Sequence, residues 1–116
     1  LLWGINDLDD TIRRLQAFEK AGADVLYAPG ITTLADAKTL IDAVSKPVNI
    51  LGPMIRDAGV AELAAAGAKR ISVGGALARA AIGAELRAAR EMLNYGSFSW
   101  VTEAESEAAL EQLTKS

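Results

Sequence analysis

Two adjacent glycines, Gly74 and Gly75, form the part of the chain best suited to contact an anion. They follow a short, alternately apolar run at 67–73 and precede an alanine-rich helical pattern, which is typical of a buried parallel strand that passes into a helix. Glycines at such a junction let backbone N–H groups approach an anion at the positive end of the helix. The pair could equally make only a tight turn, so the spacing alone leaves both interpretations open.

A pair of carboxylates, Asp9 and Asp10, has side chains able to bind a metal ion or exchange protons. The pair follows Asp7 at the start of a helical pattern, where negative side chains stabilise the positive end of the helix. We therefore interpret these residues as helix-start charges.

The chain contains no cysteine and no histidine. Disulfides, thiolate nucleophiles, Ser-His-Asp triads and the usual zinc and iron ligands are therefore excluded. The net charge of -3 argues against nucleic-acid binding, which needs a clustered basic face. We interpret the adjacent basic pairs, Arg13-Arg14 and Lys69-Arg70, as solvated edges.

Strands alternate with helices along the 116 residues, of which 51% are hydrophobic. Helices are predicted at Leu8 to Ala21, from the Thr33 cap to Lys46, at 60–66 and at 77–93, with an acidic helix at 103–115 after a Thr102 cap. Strands are predicted within 23–30, at 48–51 and at 70–73. No apolar run reaches the roughly 20 residues of a membrane span and no signal segment opens the chain, so we expect a cytoplasmic protein.

An internal repeat indicates the fold class, because 21–30 aligns with 66–75 without gaps. Apolar strands alternating with helices predict a parallel α/β sheet, either doubly wound or part of a (β/α)₈ TIM barrel. A complete barrel needs eight strands in about 250 residues. In the barrel interpretation the chain holds the last three strand-helix units and a preceding helix at 1–96, and a C-terminal extension at 97–116.

The barrel interpretation also places the active face, since this face lies at the loops that follow the strands. These are the loops after Ala28, Leu51 and Val73, whereas Asp24 and Lys69 would lie on the opposite, stabilising face. The chain begins in mid-pattern and without Met, so we expect it to be part of a longer protein.

Four segments, at 8–14, 21–30, 47–51 and 70–77, resemble in order and spacing the C-terminal part of the isocitrate lyase/phosphoenolpyruvate mutase superfamily, phosphonomutase-like branch. The resemblance implies a Mg²⁺-dependent lyase or mutase that acts on C–C or P–C bonds of a small oxoacid through an enolate. Oxaloacetate, phosphonopyruvate or an isocitrate-like acid would be the substrate. The family's metal-binding and catalytic residues lie on earlier strands, so we expect this fragment alone to be inactive, with Mg²⁺ held elsewhere in the parent enzyme.

The resemblance leaves four candidate substrate-binding residues in this chain: Asn49, Gly30, Gly74 and Gly75. The family often places an Asn and a hydroxyl at the end of the strand matched by 48–51, and Asn49 is the nearby candidate. A structural bond from its side chain to the backbone is the alternative. Many members have a Glu after the first of these strands, where this chain has Ala28-Pro29-Gly30.

The resemblance also implies a homo-oligomer, a dimer or tetramer, that associates through the helix at 77–93. This helix has two apolar ridges, which indicate a partner. We expect neither nucleic acid nor membrane as a partner, and we expect Phe98 and Trp100 to anchor the tail. Two alternatives remain: a phosphate-binding barrel enzyme of another class, and a non-catalytic half-barrel that self-associates through its sheet edges.

Overall fold

The computed structural model describes residues 7–115, so the predicted mid-pattern start of the chain lies outside the described residues. One compact unit ends at Ala76 and a second begins at Leu77. The elements, in chain order, are α1 (Leu8–Lys20), β1 (Leu26–Tyr27), α2 (Leu34–Asp42), β2 (Val48–Leu51), α3 (Val60–Ala65), β3 (Arg70–Ser72), α4 (Ala76–Tyr95) and α5 (Glu107–Thr114), with 3₁₀ turns at Gly52–Met54 and Ser99–Glu103. The predicted boundary between a barrel part at 1–96 and a C-terminal extension at 97–116 stays a prediction.

The first unit contains a parallel sheet in the order β1-β2-β3. Leu26 pairs with Val48, and Asn49 pairs with both Tyr27 and Arg70 in register. Each strand is joined to the next by a helix, α2 and then α3. The predicted parallel α/β architecture is confirmed, although β1 is only two residues long, shorter than expected.

Among the described residues, one face of the sheet packs into the core, and the other, called the open face, carries mostly exposed or half-buried side chains. Leu26, Val48 and Ile50 are at most 2% exposed and belong to the same core as buried side chains of α1, α2 and α3. Because side chains alternate along a strand, the neighbours of these residues point to the opposite side. This open face carries Val25, Tyr27, Asn49, Leu51, Arg70 and Ser72.

The internal repeat has the same helix end in both copies. Gly22 has a φ of +100° and Gly67 a φ of +102°. The next residue, Ala23 or Ala68, donates its N–H back to the carbonyl oxygen of Phe18 or Leu63, at 3.0 and 3.1 Å respectively. Both ends are therefore Schellman motifs, in which glycine takes the left-handed position that other residues rarely adopt.

Two of the predicted helix starts are confirmed. Asp7 accepts from the N–H of Asp10 at 2.8 Å, and Thr33 accepts from the N–H of Asp36 at 3.1 Å. Ala37 and Leu40 of α2 are fully buried, so they form the face of this helix that packs into the core. The helix ends at Asp42, before the predicted stop at Lys46.

The predicted start of the last helix is wrong. α5 begins at Glu107 and is capped by Ser106, while Thr102 donates to the carbonyl of Ser99 within the preceding 3₁₀ turn. The physical reason is Glu91, whose carboxylate accepts bonds from the N–H of Ser99 at 2.6 Å and from its hydroxyl at 2.8 Å. These bonds fold the segment after α4 back towards that helix.

The longest predicted helix is confirmed as α4, with both ends slightly extended. None of its residues is buried, and the large apolar side chains of its two ridges are exposed, whereas the ridge residues Ala88 and Ala89 are half-buried. Of the two aromatic residues predicted to anchor the tail, Trp100 is partly buried and Phe98 is 63% exposed. Within residues 7–115, no helix combines the length and apolar character that crossing a membrane requires.

Candidate functional site

The loops that follow β1 and β2 are tied to each other at the carboxyl ends of the strands. The N–H of Arg56 donates to the carbonyl of Thr32 at 3.4 Å, and the carboxylate of Asp57 accepts from the N–H of Leu34 at 2.9 Å. Asp57 therefore joins Thr33 in capping α2. This edge of the sheet, where a barrel enzyme places its active site, is held by contacts between its own loops.

Asn49 lies at the centre of a polar cluster on the open face. Asn49 is only 4% exposed, and it is the one buried polar residue among those that the structure describes. The amide oxygen accepts from Arg70 Nη1 at 2.9 Å, and the amide nitrogen donates to Ser72 Oγ at 3.0 Å. Both partners are side chains. The alternative prediction, a bond from the Asn49 side chain to the backbone, is therefore wrong for these two contacts.

Ser72 is the outermost member of this cluster, at the last position of β3. Its hydroxyl can donate to the carbonyl of Ile50, but the distance of 3.5 Å is long for an O–H donor. The bond that the Ser72 hydroxyl donates within the protein is therefore weak.

The predicted glycines lie in the loops around this cluster. Gly74 follows β3 with a φ of +53°, and a Cβ built on it would lie 3.3 Å from Leu51 Cδ1, at the end of the neighbouring strand β2. Gly75 is exposed and directly precedes α4. Gly30 follows β1, so the full width of β2 separates it from Gly74. Asn49 thus lies on β2, Gly74 in the turn that follows the adjacent strand β3, and Gly30 in the loop after β1 on the other side of β2.

Sequence reasoning missed two members of the cluster, Arg70 and Ser72. Lys69 and Arg70 were interpreted as a solvated edge, and both residues are exposed. For Arg70 the interpretation is nevertheless wrong, because its guanidinium is not only solvated but also donates to the side chain of Asn49. The sequence did show that Arg70 and Ser72 lie on the same side of β3, because successive side chains of a strand point to opposite faces. The register that brings this side to Asn49 was not available.

The acidic side chains of the described residues are not clustered. Within residues 7–115, no group of three or more acidic, His or Cys side chains could hold a metal ion. Asp10 instead contacts Arg14 at 2.6 Å and Arg13 at 3.1 Å. The hydrogen bond from Arg14 is the main reason that the pKa of Asp10 lies below its usual value. Asp9 and Asp10 are confirmed as charges in the first turn of α1.

Comparison with known proteins gives a consistent result. A family model described as phosphoenolpyruvate phosphomutase matches residues 1–93. An oxaloacetate decarboxylase from Bradyrhizobium diazoefficiens is 35% identical over 91 residues, which are 75% of this chain and 31% of that protein.

Two solved structures share the fold. A Burkholderia cenocepacia J2315 protein, provisionally named a lyase/mutase, is 49% identical with a TM-score of 0.89, and the match covers 99% of this chain and 42% of that one. A phosphoenolpyruvate phosphomutase from Streptomyces platensis subsp. rosaceus is 26% identical with a TM-score of 0.68, over 90% of this chain and 37% of that one. The chain therefore spans less than half the length of each of these relatives.

Proposed function

Because the chain belongs to the phosphoenolpyruvate phosphomutase family, we propose that it forms part of an enzyme that makes or breaks a C–C or P–C bond of a small oxoacid through an enolate. The superfamily resemblance inferred from the sequence is confirmed, and its relatives are lyases and mutases. This match decides against a barrel enzyme of another class. Oxaloacetate is an oxoacid and phosphoenolpyruvate is the phosphorylated enol of one, so the names of two relatives support the proposed substrate class.

The observation that carries the proposal is the buried amide of Asn49, bonded to Ser72 at the carboxyl edge of the sheet. A buried polar side chain is costly unless it is fully hydrogen-bonded, so such a cluster on the open face of a sheet favours a binding role. We propose that Ser72 donates its proton to a carboxylate oxygen of the oxoacid. The backbone around Gly74 and Gly75, at the start of α4, and the turn at Gly30 would form the adjacent walls.

The chain would bind substrate without supplying the catalytic groups. Mg²⁺ would polarise the oxoacid and stabilise the enolate oxygen. We propose that its ligands belong to the part of the enzyme beyond this chain, which agrees with the lack of any group of three or more metal-ligating side chains within residues 7–115. Magnesium dependence is accordingly a property proposed for the longer enzyme, and the chain alone would be inactive.

The test is an assay of the full-length enzyme that contains this chain, with Mg²⁺ and with oxaloacetate or phosphonopyruvate. Ser72→Ala should raise KM by about 10- to 100-fold, the effect of losing one hydrogen bond to a charged group. Ser45→Ala is the matched control, because Ser45 lies at the opposite end of the sheet with its hydroxyl bound to Glu19. Absence of activity on every oxoacid and phosphonate tried would contradict the proposal.

We also propose that the enzyme is a homo-oligomer, a dimer or tetramer, that associates through residues 77–93. Supporting this, Leu77, Leu86 and Leu93 are 72%, 48% and 85% exposed, which is unusual for leucines along one helix. Light scattering after size exclusion should give a mass above that of the monomer, and Leu86→Asp should lower it while Glu85→Gln does not. A monomer at all concentrations would be evidence against association. The cytoplasmic location stays a prediction.

A further inference from the structure

We propose that Arg70 is a positioning residue, which fixes the amide of Asn49 so that the hydroxyl of Ser72 keeps its proton for a ligand oxygen. The inference rests on the proposed function, in which that ligand is the carboxylate of an oxoacid. Arg70 itself would act through Asn49 and would not need to touch the substrate.

Arg70 fixes the orientation of the Asn49 side-chain amide. A guanidinium group has five N–H donors and no acceptor. The Asn49 atom that lies 2.9 Å from Arg70 Nη1 must therefore be the amide oxygen. Because the amide is planar, its nitrogen is then directed to the other side, where Ser72 Oγ lies 3.0 Å away.

The orientation of Asn49 determines where the hydroxyl proton of Ser72 points. The amide nitrogen of Asn49 can only donate, so Ser72 Oγ accepts from it and must give its own proton to another group. The acceptor within reach is the carbonyl of Ile50, at 3.5 Å. Typical O–H···O distances are about 2.5–3.0 Å, so this contact is weak and leaves the proton available.

Arg70 excludes the flipped orientation of the Asn49 amide. If the Asn49 amide rotated by half a turn, its oxygen would face Ser72 and would accept the hydroxyl proton. Ser72 would then be satisfied inside the protein and would no longer be a donor to a ligand. At 4% exposure, Asn49 has little access to water that could hold its orientation, so the charged donor of Arg70 decides it.

The position of the three residues fits this division of roles. Arg70 pairs with Asn49 in register. Ser72 pairs with Leu51, two residues nearer the carboxyl edge. Ser72 is thus the member next to the loop of Gly74, whereas Arg70 lies deeper along β3. The two bonds from Arg70 to Asn49 and from Asn49 to Ser72 lead from Arg70 towards the edge where the substrate carboxylate would bind.

The orientation is tested by NMR on the ligand-free chain, through the side-chain amide signals of Asn49. Arg70→Met removes the donor but keeps an aliphatic stem, and it should increase the rate of proton exchange at this amide. Arg70→Lys, which is also only a donor, should retain the protected signals, and Lys69→Met is the exposed neighbouring control. Unchanged Asn49 signals in a folded Arg70→Met variant would overturn the inference.

A second variant keeps the test decisive if Arg70→Met does not fold. Asn49→Asp should retain the contact with Arg70 as an ion pair, yet both of its oxygens are acceptors. Ser72 would then donate to Asp at this position, and the ligand would lose its donor. Oxaloacetate KM of the full-length enzyme should rise by about 10- to 100-fold, as in Ser72→Ala. An unchanged KM in Asn49→Asp would overturn the inference.

A double-mutant cycle separates positioning from a general structural effect. Arg70→Met should raise the oxaloacetate KM more than it lowers kcat, and it should add little in a Ser72→Ala background because its target is absent. An equal effect of Arg70→Met with and without Ser72 would overturn the inference. If the unaltered enzyme has no activity on any oxoacid, the proposed function fails, and the NMR result still decides the role of Arg70.

Discussion

Replacing each glycine of the two Schellman motifs by alanine provides a matched test of how the repeat is built. Gly22 and Gly67 have nearly the same φ, +100° and +102°. Their surroundings differ, because a Cβ on Gly67 would lie 3.0 Å from Ile41 Cγ2, whereas a Cβ on Gly22 would have nothing within 4 Å. The pair therefore separates backbone strain from a steric contact.

The expected magnitudes follow from these two terms. Holding a residue with a Cβ in the left-handed region costs about 1–2 kcal/mol, which is the whole effect expected for Gly22→Ala. Overpacking of a well-packed core typically costs a further 1–3 kcal/mol or so. Gly67→Ala should therefore reduce the free energy of unfolding by about 2–5 kcal/mol, and clearly more than Gly22→Ala.

Urea unfolding followed by far-UV circular dichroism measures both losses, provided that the slopes of the two transitions agree. Equal losses for the two variants would refute the role assigned to the Ile41 contact. If neither variant lost stability, the strain assigned to the left-handed glycines would itself be wrong.

Two further predictions concern the core and the pH dependence. Leu40→Ala should reduce the free energy of unfolding by about 2–5 kcal/mol because Leu40 is fully buried, whereas Val60→Ala, at 71% exposure, should change it by less than about 0.5 kcal/mol. Hydrogen bonds from Ser99 hold the pKa of Glu91 below its ordinary value, so the stabilising contribution of this carboxylate is complete above that ordinary value and is lost as the pH falls through the lower pKa of the folded state. An acid titration of the Ser99 amide signal should show this loss, and the same transition in Glu91→Gln would contradict the assignment.

The elements that sequence predicted well are those set by neighbouring residues. The caps at Asp7 and Thr33 depend on contacts three residues apart, and both are present. The glycine ends of the repeat depend on the last turn of each helix, and both have the same geometry. Local stereochemistry was sufficient for these features.

The elements that sequence could not predict depend on distant pairs. Thr102 and Ser106 are both plausible caps before an acidic segment, and the bonds from Ser99 to Glu91, eight residues away, are what favoured Ser106. In the candidate site, Asn49 was identified from the sequence. Its partner Arg70 is 21 residues away, and a one-residue change of strand register would have turned it to the other face.

The one-sided core also bears on how this part of the chain folds. All the buried apolar residues that the structure describes fall between Leu15 and Leu63, a single continuous stretch of the chain. Each strand pairs with the strand that follows it in sequence, so the contact order of the unit is low for a parallel sheet. The core of this unit can therefore form from contacts within that one stretch of the chain, which favours faster folding than for a parallel sheet built from distant strands.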